Sequence, residues 1–205
     1  MVFQTRRDLF KLAGSAAVVA STGAATSALA HIPARRPGLY GVGAGESGEV
    51  LAAQAGRPIR RVAFHNLHTG EVVDAVYWEQ GAYVPDALSE VNHVLRDFRN
   101  GQTHTIDPRL LDLLDALSAK VETRSPFHVI SGYRSPQTNA MLRRRSSGVA
   151  HDSLHMKGLA IDIRLADVDL PRLHQAALSL QGGGVGYYPS SDFVHVDVGP
   201  VRRWG

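Results

Sequence analysis

Two short segments near the C-terminus leave this chain little choice of conformation. In Leu159-Ala160-Ile161-Asp162-Ile163-Arg164-Leu165 and in Phe193-Val194-His195-Val196-Asp197-Val198, aliphatic residues recur at every second position. An extended strand sends alternate side chains to opposite faces, so both segments read as strands with one aliphatic face. Leu159, Ile161, Ile163 and Leu165 form that face in the first, and Val194, Val196 and Val198 form it in the second. The other face carries Asp162 on one strand, and His195 with Asp197 on the other. Just upstream, Ser153-Leu154-His155-Met156-Lys157-Gly158 sets His155 on a polar turn. Two imidazoles and a carboxylate can hold zinc tetrahedrally and leave the fourth position for water, the arrangement that a hydrolytic zinc requires.

The absence of cysteine narrows the chemistry further. Disulfide frameworks, thiolate zinc sites, iron–sulfur clusters and cysteine nucleophiles are all excluded, so any metal must sit on His, Asp or Glu. The chain has ten histidines, but His65, His68, His93, His104, His128 and His174 follow no ligand spacing and read as structural or exposed. Twenty-two Lys and Arg against nineteen Asp and Glu give a net charge of only +3, too small a surplus to argue for a nucleic-acid partner.

Residues 1–30 have the outline of an export signal. A basic start, Thr5-Arg6-Arg7-Asp8-Leu9-Phe10-Lys11, precedes an uncharged Ala/Gly/Ser/Thr/Val stretch that closes on Ala28-Leu29-Ala30, a small-x-small cleavage pattern. The paired arginines resemble the twin-arginine signal, which implies contact with the twin-arginine translocation machinery, export in the folded state and action in the periplasm. A membrane anchor is the alternative, and the poor Leu/Ile content of residues 12–30 argues against it.

Residues 31–58 are rich in Gly, Ala, Arg and Pro without sustained periodicity, and read as a tether or loosely packed arm. A folded domain is expected over residues 59–205. Arg61 to Asn66 and Glu71 to Trp78 around His68-Thr69-Gly70 predict a β-hairpin, with a short strand at Ala82 to Val84. Asp86 is expected to cap a helix carrying Ala87, Leu88, Val91, Val94, Leu95 and Phe98 and stopping at Asn100-Gly101. Asp107-Pro108 opens a second helix with Leu110, Leu111, Leu114 and Leu117 inward. Further on come a strand at Phe127 to Ser131, a basic helix at Gln137 to Arg145, a helix at Leu170 to Leu180 and a strand at Gly184 to Tyr188. The class is α+β, with a small, mainly antiparallel sheet flanked by helices.

Taken together, Ser153-x-His155-x-x-Gly158-x-Ala160-x-Asp162 and Asp192-x-x-His195-x-Asp197, with Ser131-Gly132-Tyr133-Arg134-Ser135 upstream, resemble the zinc-site signature of the D-alanyl-D-alanine metallopeptidase and hedgehog-type fold. More narrowly, Gly184-Val185-Gly186-Tyr187-Tyr188-Pro189, Phe193 to Pro200 and the terminal Arg203-Trp204 resemble the YcbK-like murein endopeptidases. The resemblance spans residues 59–205. It implies one zinc on His155, Asp162 and His195, with Arg134 in the cleft, where a fixed guanidinium could hold the substrate carbonyl oxygen. Tyr133 and Ser153 are candidate substrate contacts. Asp192 stands where several branches keep a general base, Asp197 could orient His195 or serve as base, and His151 and Asp152 are further candidates. The implied substrate is the peptidoglycan stem peptide, met by a monomer that cuts crosslinks. Trimming of a terminal D-alanine and non-catalytic, zinc-containing peptidoglycan binding are the alternatives. Neither 3-3 nor 4-3 crosslinks are singled out.

Overall fold

Thirteen regular elements build the domain in the computed structural model, which describes residues 48–54, 56–146 and 148–205. They are α1 (Gly48–Gln54), β1 (Ile59–Asn66), β2 (Val72–Glu79), β3 (Ala82–Tyr83), α2 (Pro85–Val94), α3 (Pro108–Lys120) and β4 (Phe127–Ser131). After these come α4 (Pro136–Arg145), β5 (Ala160–Arg164), α5 (Leu170–Leu180), β6 (Gly184–Tyr188), β7 (Phe193–Asp197) and β8 (Arg202–Trp204). The export signal expected at residues 1–30 and the first part of the tether expected at 31–58 lie outside the described residues. The described end of that tether is not loose. There α1 packs against α3, with Val50 buried and Gln54 Nε2 donating to the Asp112 carbonyl. Seven residues are too few for a helical period to stand out in sequence. No helix among the described residues is long and apolar enough to cross a membrane.

Capping explains most helix starts. Asp107 accepts a hydrogen bond from the Arg109 amide with Pro108 at the first helical position, and Ser135 and Asp169 cap α4 and α5 in the same manner. The start of α2 differs from expectation. Val84 holds the cap position without a side-chain bond, Pro85 begins the helix, and Asp86 falls in its first turn, where a negative charge suits the helix dipole. The helix also ends at Val94 instead of running on past Phe98. Asp97 is buried, and its carboxylate accepts from the Ser135 amide (2.9 Å), the Ser135 hydroxyl (2.7 Å) and the Arg99 amide (3.1 Å). The bond to the Arg99 amide is local and competes with the helical ladder, and the two bonds to Ser135 hold the turned chain in place.

All eight described strands form one sheet, in the order β3-β2-β1-β4-β5-β7-β6-β8. It is mixed and larger than the small sheet expected from sequence. The β1–β4 and β6–β8 pairs are parallel and the other five neighbouring pairs antiparallel. The parallel β1–β4 pair needs a crossover, which α2 and α3 supply, and this pairing fuses the N-terminal hairpin with the C-terminal strands.

One face of the sheet meets the helices. Val62, Phe64, Tyr77, Phe127, Val129, Ile161, Ile163, Val194 and Val196 pack there with Leu110, Leu114 and Leu117 of α3 and with Leu173 and Leu180 of α5. The alternation in β5 and β7 therefore sends Asp162, His195 and Asp197 to the face opposite α3 and α5.

Candidate metal centre

Three local choices of chain path bring the trio together. β5 and β7 are antiparallel neighbours whose register sets Asp162 opposite His195 and Ala160 opposite Asp197. His155 arrives on a 3-10 turn, Leu154–Lys157, that leads into β5 and ends at Gly158. Gly158 has φ +67°, and a Cβ there would lie 2.2 Å from the Thr105 carbonyl oxygen, so only glycine can make this approach. One ligand atom from each of His155, Asp162 and His195 falls within 4.8 Å of the others.

The imidazoles are held so that their lone pairs converge. His155 Nδ1 donates to the Gly132 carbonyl (2.8 Å), which leaves Nε2 facing Asp162 Oδ1 at 3.3 Å and His195 Nδ1 at 3.2 Å. His195 Nε2 donates to Asp197 Oδ2 (3.0 Å), which leaves Nδ1 against Asp162 Oδ1 at 2.8 Å. Asp197 is itself immobilised. Both its oxygens receive the Arg202 guanidinium (3.0 and 2.7 Å), and Oδ1 also accepts from the Gly184 and Gly199 amides. A carboxylate bound to the far nitrogen of a ligand histidine fixes its tautomer and raises its basicity.

The electrostatics agree with this geometry. Burial lowers the His195 imidazole, but Asp162 and Asp197 outweigh it and push its pKa up to about 9. Burial would raise the Asp162 carboxyl, yet His155 and His195 hold it well below the usual carboxylate range. Asp197, against the same burial penalty, is held low by His195, Arg202 and the two glycine amides. In the absence of metal, Asp162 and His195 are thus a buried ion pair whose proton a cation would displace.

The trio lies in a cavity of about 500 Å³. Arg134, Asp152, Ser153, Tyr188, Phe193, Arg202 and Trp204 are also among its lining residues. Arg134, expected in the cleft, is there. Its Nη2 lies 3.3 Å from Ser131 Oγ and 3.8 Å from Asp162 Oδ2, and its buried Nε has no partner among the described residues. Ser153 is buried on the cavity wall, and its hydroxyl does not cap the 3-10 turn. Tyr133 does not line the cavity. Its ring stacks on His104 at 4.8 Å, and its amide donates to the Leu95 carbonyl.

The base candidates separate clearly. Asp197 is sealed under His195 and Arg202, its Oδ2 accepting from His195 Nε2 and from Arg202. Asp192 follows the turn Pro189–Ser191 with φ +54°, its side chain is 62% exposed, and it accepts from Arg164 at 2.6 Å. It is not among the residues lining the cavity, and neither is the exposed His151. Asp152 does line it, with only an exposed pairing to Lys157 at 2.9 Å.

Two features were invisible to sequence patterning. Arg202, which clamps Asp197, and Trp204, whose ring lies 5.2 Å from that of His195, come from β8. β8 reaches the site only by pairing in parallel with β6, a juxtaposition that no local pattern encodes. The sequence signals are the terminal Arg203-Trp204 of the motif resemblance and Gly186, opposite His195, where a Cβ would sit 2.6 Å from the Trp204 indole.

Two imidazoles, each held from behind by a hydrogen bond, and a carboxylate, with one ligand atom of each close to the others, fit a divalent cation and define, in an open cavity on an α+β scaffold, a metallopeptidase. The chain belongs to the family described as peptidoglycan L,D-endopeptidase MepK, whose family model matches residues 54–204. It is 46% identical over 145 residues to the peptidoglycan L,D-endopeptidase MepK of Escherichia coli K12, which covers 71% of this chain and 80% of that protein. It is 43% identical over 156 residues to a probable peptidoglycan L,D-endopeptidase MepK of Haemophilus influenzae, covering 76% and 84%. The murein endopeptidase resemblance read from the motifs is borne out.

Proposed function

We propose that this chain is an exported, zinc-dependent peptidoglycan hydrolase that cuts L,D bonds in the crosslinks between stem peptides. The observation that carries the reading is the convergence of His155, Asp162 and His195 in an accessible cavity. The names of the relatives supply the bond class, and an L,D bond favours 3-3 over 4-3 crosslinks. Zinc suits a donor set of two imidazoles and one carboxylate without thiolate. The sheet with α3 and α5 on one face and its metal centre on the other is compatible with the hedgehog/DD-peptidase-type fold. The periplasm, reached through the twin-arginine machinery, follows from the reading of residues 1–30. The monomeric state is part of the same proposal.

When bound, the zinc supplies Lewis-acid chemistry, acidifying a water toward a pKa of ~7 and polarising the amide carbonyl. The side chains do the rest. Gly132 and Asp197 hold the two imidazoles in their ligating tautomers, and Arg202 keeps Asp197 ionised and fixed. Arg134, with its buried Nε unpaired, offers donors to the carbonyl oxygen as negative charge develops there. Ser153, buried on the cavity wall, contacts the substrate. Asp152 takes the water proton. Its cavity position favours it over Asp192, and the exposed pairing with Lys157 holds it by less than about 1 kcal/mol.

Digestion of isolated sacculi by the mature chain, followed by muropeptide analysis, tests this reading. The expected result is conversion of 3-3 crosslinked dimers to monomers, abolished by a chelator and restored by zinc. Asp152→Asn should lower the rate by roughly 10²–10⁴-fold with zinc retained, while Asp192→Asn leaves it near normal. Undiminished digestion under chelator overturns the metal-dependent reading, and loss of activity in Asp192→Asn alone returns the base to that residue.

A further inference from the structure

Tyr188 is the last residue of β6 and pairs with Phe193 across the β6–β7 ladder, which puts it two residues from Gly186 and so on the same face of the sheet as His195. Its ring stacks on Phe193, with centroids 4.5 Å apart and planes 20° from parallel. Its oxygen accepts a hydrogen bond from Trp204 Nε1 at 2.8 Å. A phenol that accepts one bond still has its own hydrogen to donate. Among the described residues that hydrogen has no acceptor. Tyr188 lines the cavity that contains the ligand trio and Arg134.

The group holding the phenol is itself fixed. Trp204 pairs with Gly186 in the parallel β6–β8 register, and the missing Cβ at Gly186 makes room for the indole against the strand. The same indole lies 5.2 Å from the His195 ring and 5.0 Å from the Arg202 guanidinium carbon, which ties it to the clamp behind the metal ligand. The phenol oxygen therefore has its position set from two sides, by ring stacking and by the indole N–H. Its remaining donor is left to whatever enters the cavity. An amide substrate brings a carbonyl oxygen, and a hydrolytic transition state puts negative charge on it, which rewards preorganised donors.

We infer that the Tyr188 hydroxyl donates a hydrogen bond to the scissile amide oxygen alongside Arg134, and that Trp204 is the positioning residue that aims it. The inference rests on the hydrolase reading above and adds a catalytic residue to it. No proton is transferred: the O–H stays on Tyr188, and the bond strengthens as charge builds on the substrate oxygen.

Tyr188→Phe is the direct test, because it keeps the ring and its stack and removes only the hydroxyl. Steady-state cleavage of a crosslinked muropeptide dimer is compared between wild type and variant at saturating zinc, with metal content and thermal unfolding measured on the same preparations. The expected result is a fall in kcat of roughly 10–10³-fold with KM, zinc stoichiometry and unfolding temperature unchanged. Trp204→Phe, which leaves an aromatic ring beside His195 but no N–H, should lower kcat by less than Tyr188→Phe does. The inference is overturned by a kcat within twofold of wild type in Tyr188→Phe, by a rise in KM alone, or by a fall in kcat that tracks loss of zinc. An inert wild-type enzyme would overturn the hydrolase reading as well. An active wild type with an equally active Tyr188→Phe overturns only the role of the hydroxyl.

Discussion

Among the places where the domain buries carboxylates, two differ most sharply in the company they keep. On the helix side of the sheet, Asp112 of α3 is fully buried and accepts from Arg60 (2.8 Å), the Tyr77 hydroxyl (2.9 Å) and the Tyr83 hydroxyl (2.6 Å). One turn along, Asp115 is paired with Arg57. Every neighbour there is a donor, so the carboxylates are satisfied by protein alone. On the face opposite α3 and α5, Asp162 is 6% exposed, and its closest neighbours are two imidazoles that already donate at their far nitrogens, to Gly132 and Asp197. Only the proton shared by Asp162 and His195 balances the atoms that converge there, and a cation that displaces it meets three acceptors. Burial of a charge is therefore not by itself a functional signal. The balance of donors and acceptors around it is.

The sharpest way to break the comparison is to remove a ligand. His155→Ala or His195→Ala should reduce crosslink hydrolysis to background while leaving the circular dichroism spectrum intact, since no fourth protein ligand stands in reserve among the described residues. Residual hydrolysis that a chelator still abolishes would mean the cation is held elsewhere.

The converse change sits on the other side of the sheet. Asp112→Ala should destabilise the fold by about 3–5 kcal/mol, because it takes the acceptor from the buried Tyr77 hydroxyl and the partly buried Arg60 cation. The melting temperature should drop by roughly 6–20 °C with the zinc stoichiometry unchanged. A variant that melts normally would show that the helix-side cluster is as dispensable as a surface pair.

A milder change sharpens the contrast within the site itself. Asp197→Asn keeps the shape of the side chain but removes the charge that Arg202 and His195 share. Zinc affinity should fall by about 10–100-fold, measured by chelator competition, with activity returning as zinc is added. Unaltered affinity would reduce Asp197 to a packing residue.

What could be read in advance follows from how local the determinants are. Alternation in Leu159 to Leu165 and Phe193 to Val198 gave both the strands and the face on which Asp162 and His195 meet, because period two is a property of a few consecutive residues. Asp107-Pro108 likewise carries its own capping chemistry. The position of Asp192 was not legible because spacing from His195 says nothing across a turn, and its positive φ carries the side chain out to Arg164. The early end of α2 depends on Ser135, thirty-eight residues from Asp97, and the Arg202 clamp depends on the parallel pairing of β8. Both are contacts between distant parts of the chain, which periodicity does not see. The breadth of the sheet was hidden for the same reason, since it rests on the crossover pairing of β1 with β4.

Metal content of two variants purified side by side, Asp162→Ala and Asp112→Asn, tests the donor–acceptor contrast most directly. Elemental analysis should find one zinc per chain in Asp112→Asn, as in the wild type, and none above background in Asp162→Ala. Stoichiometric zinc in Asp162→Ala, or its loss from a folded Asp112→Asn, would contradict the assignment of the face opposite α3 and α5 as the metal centre.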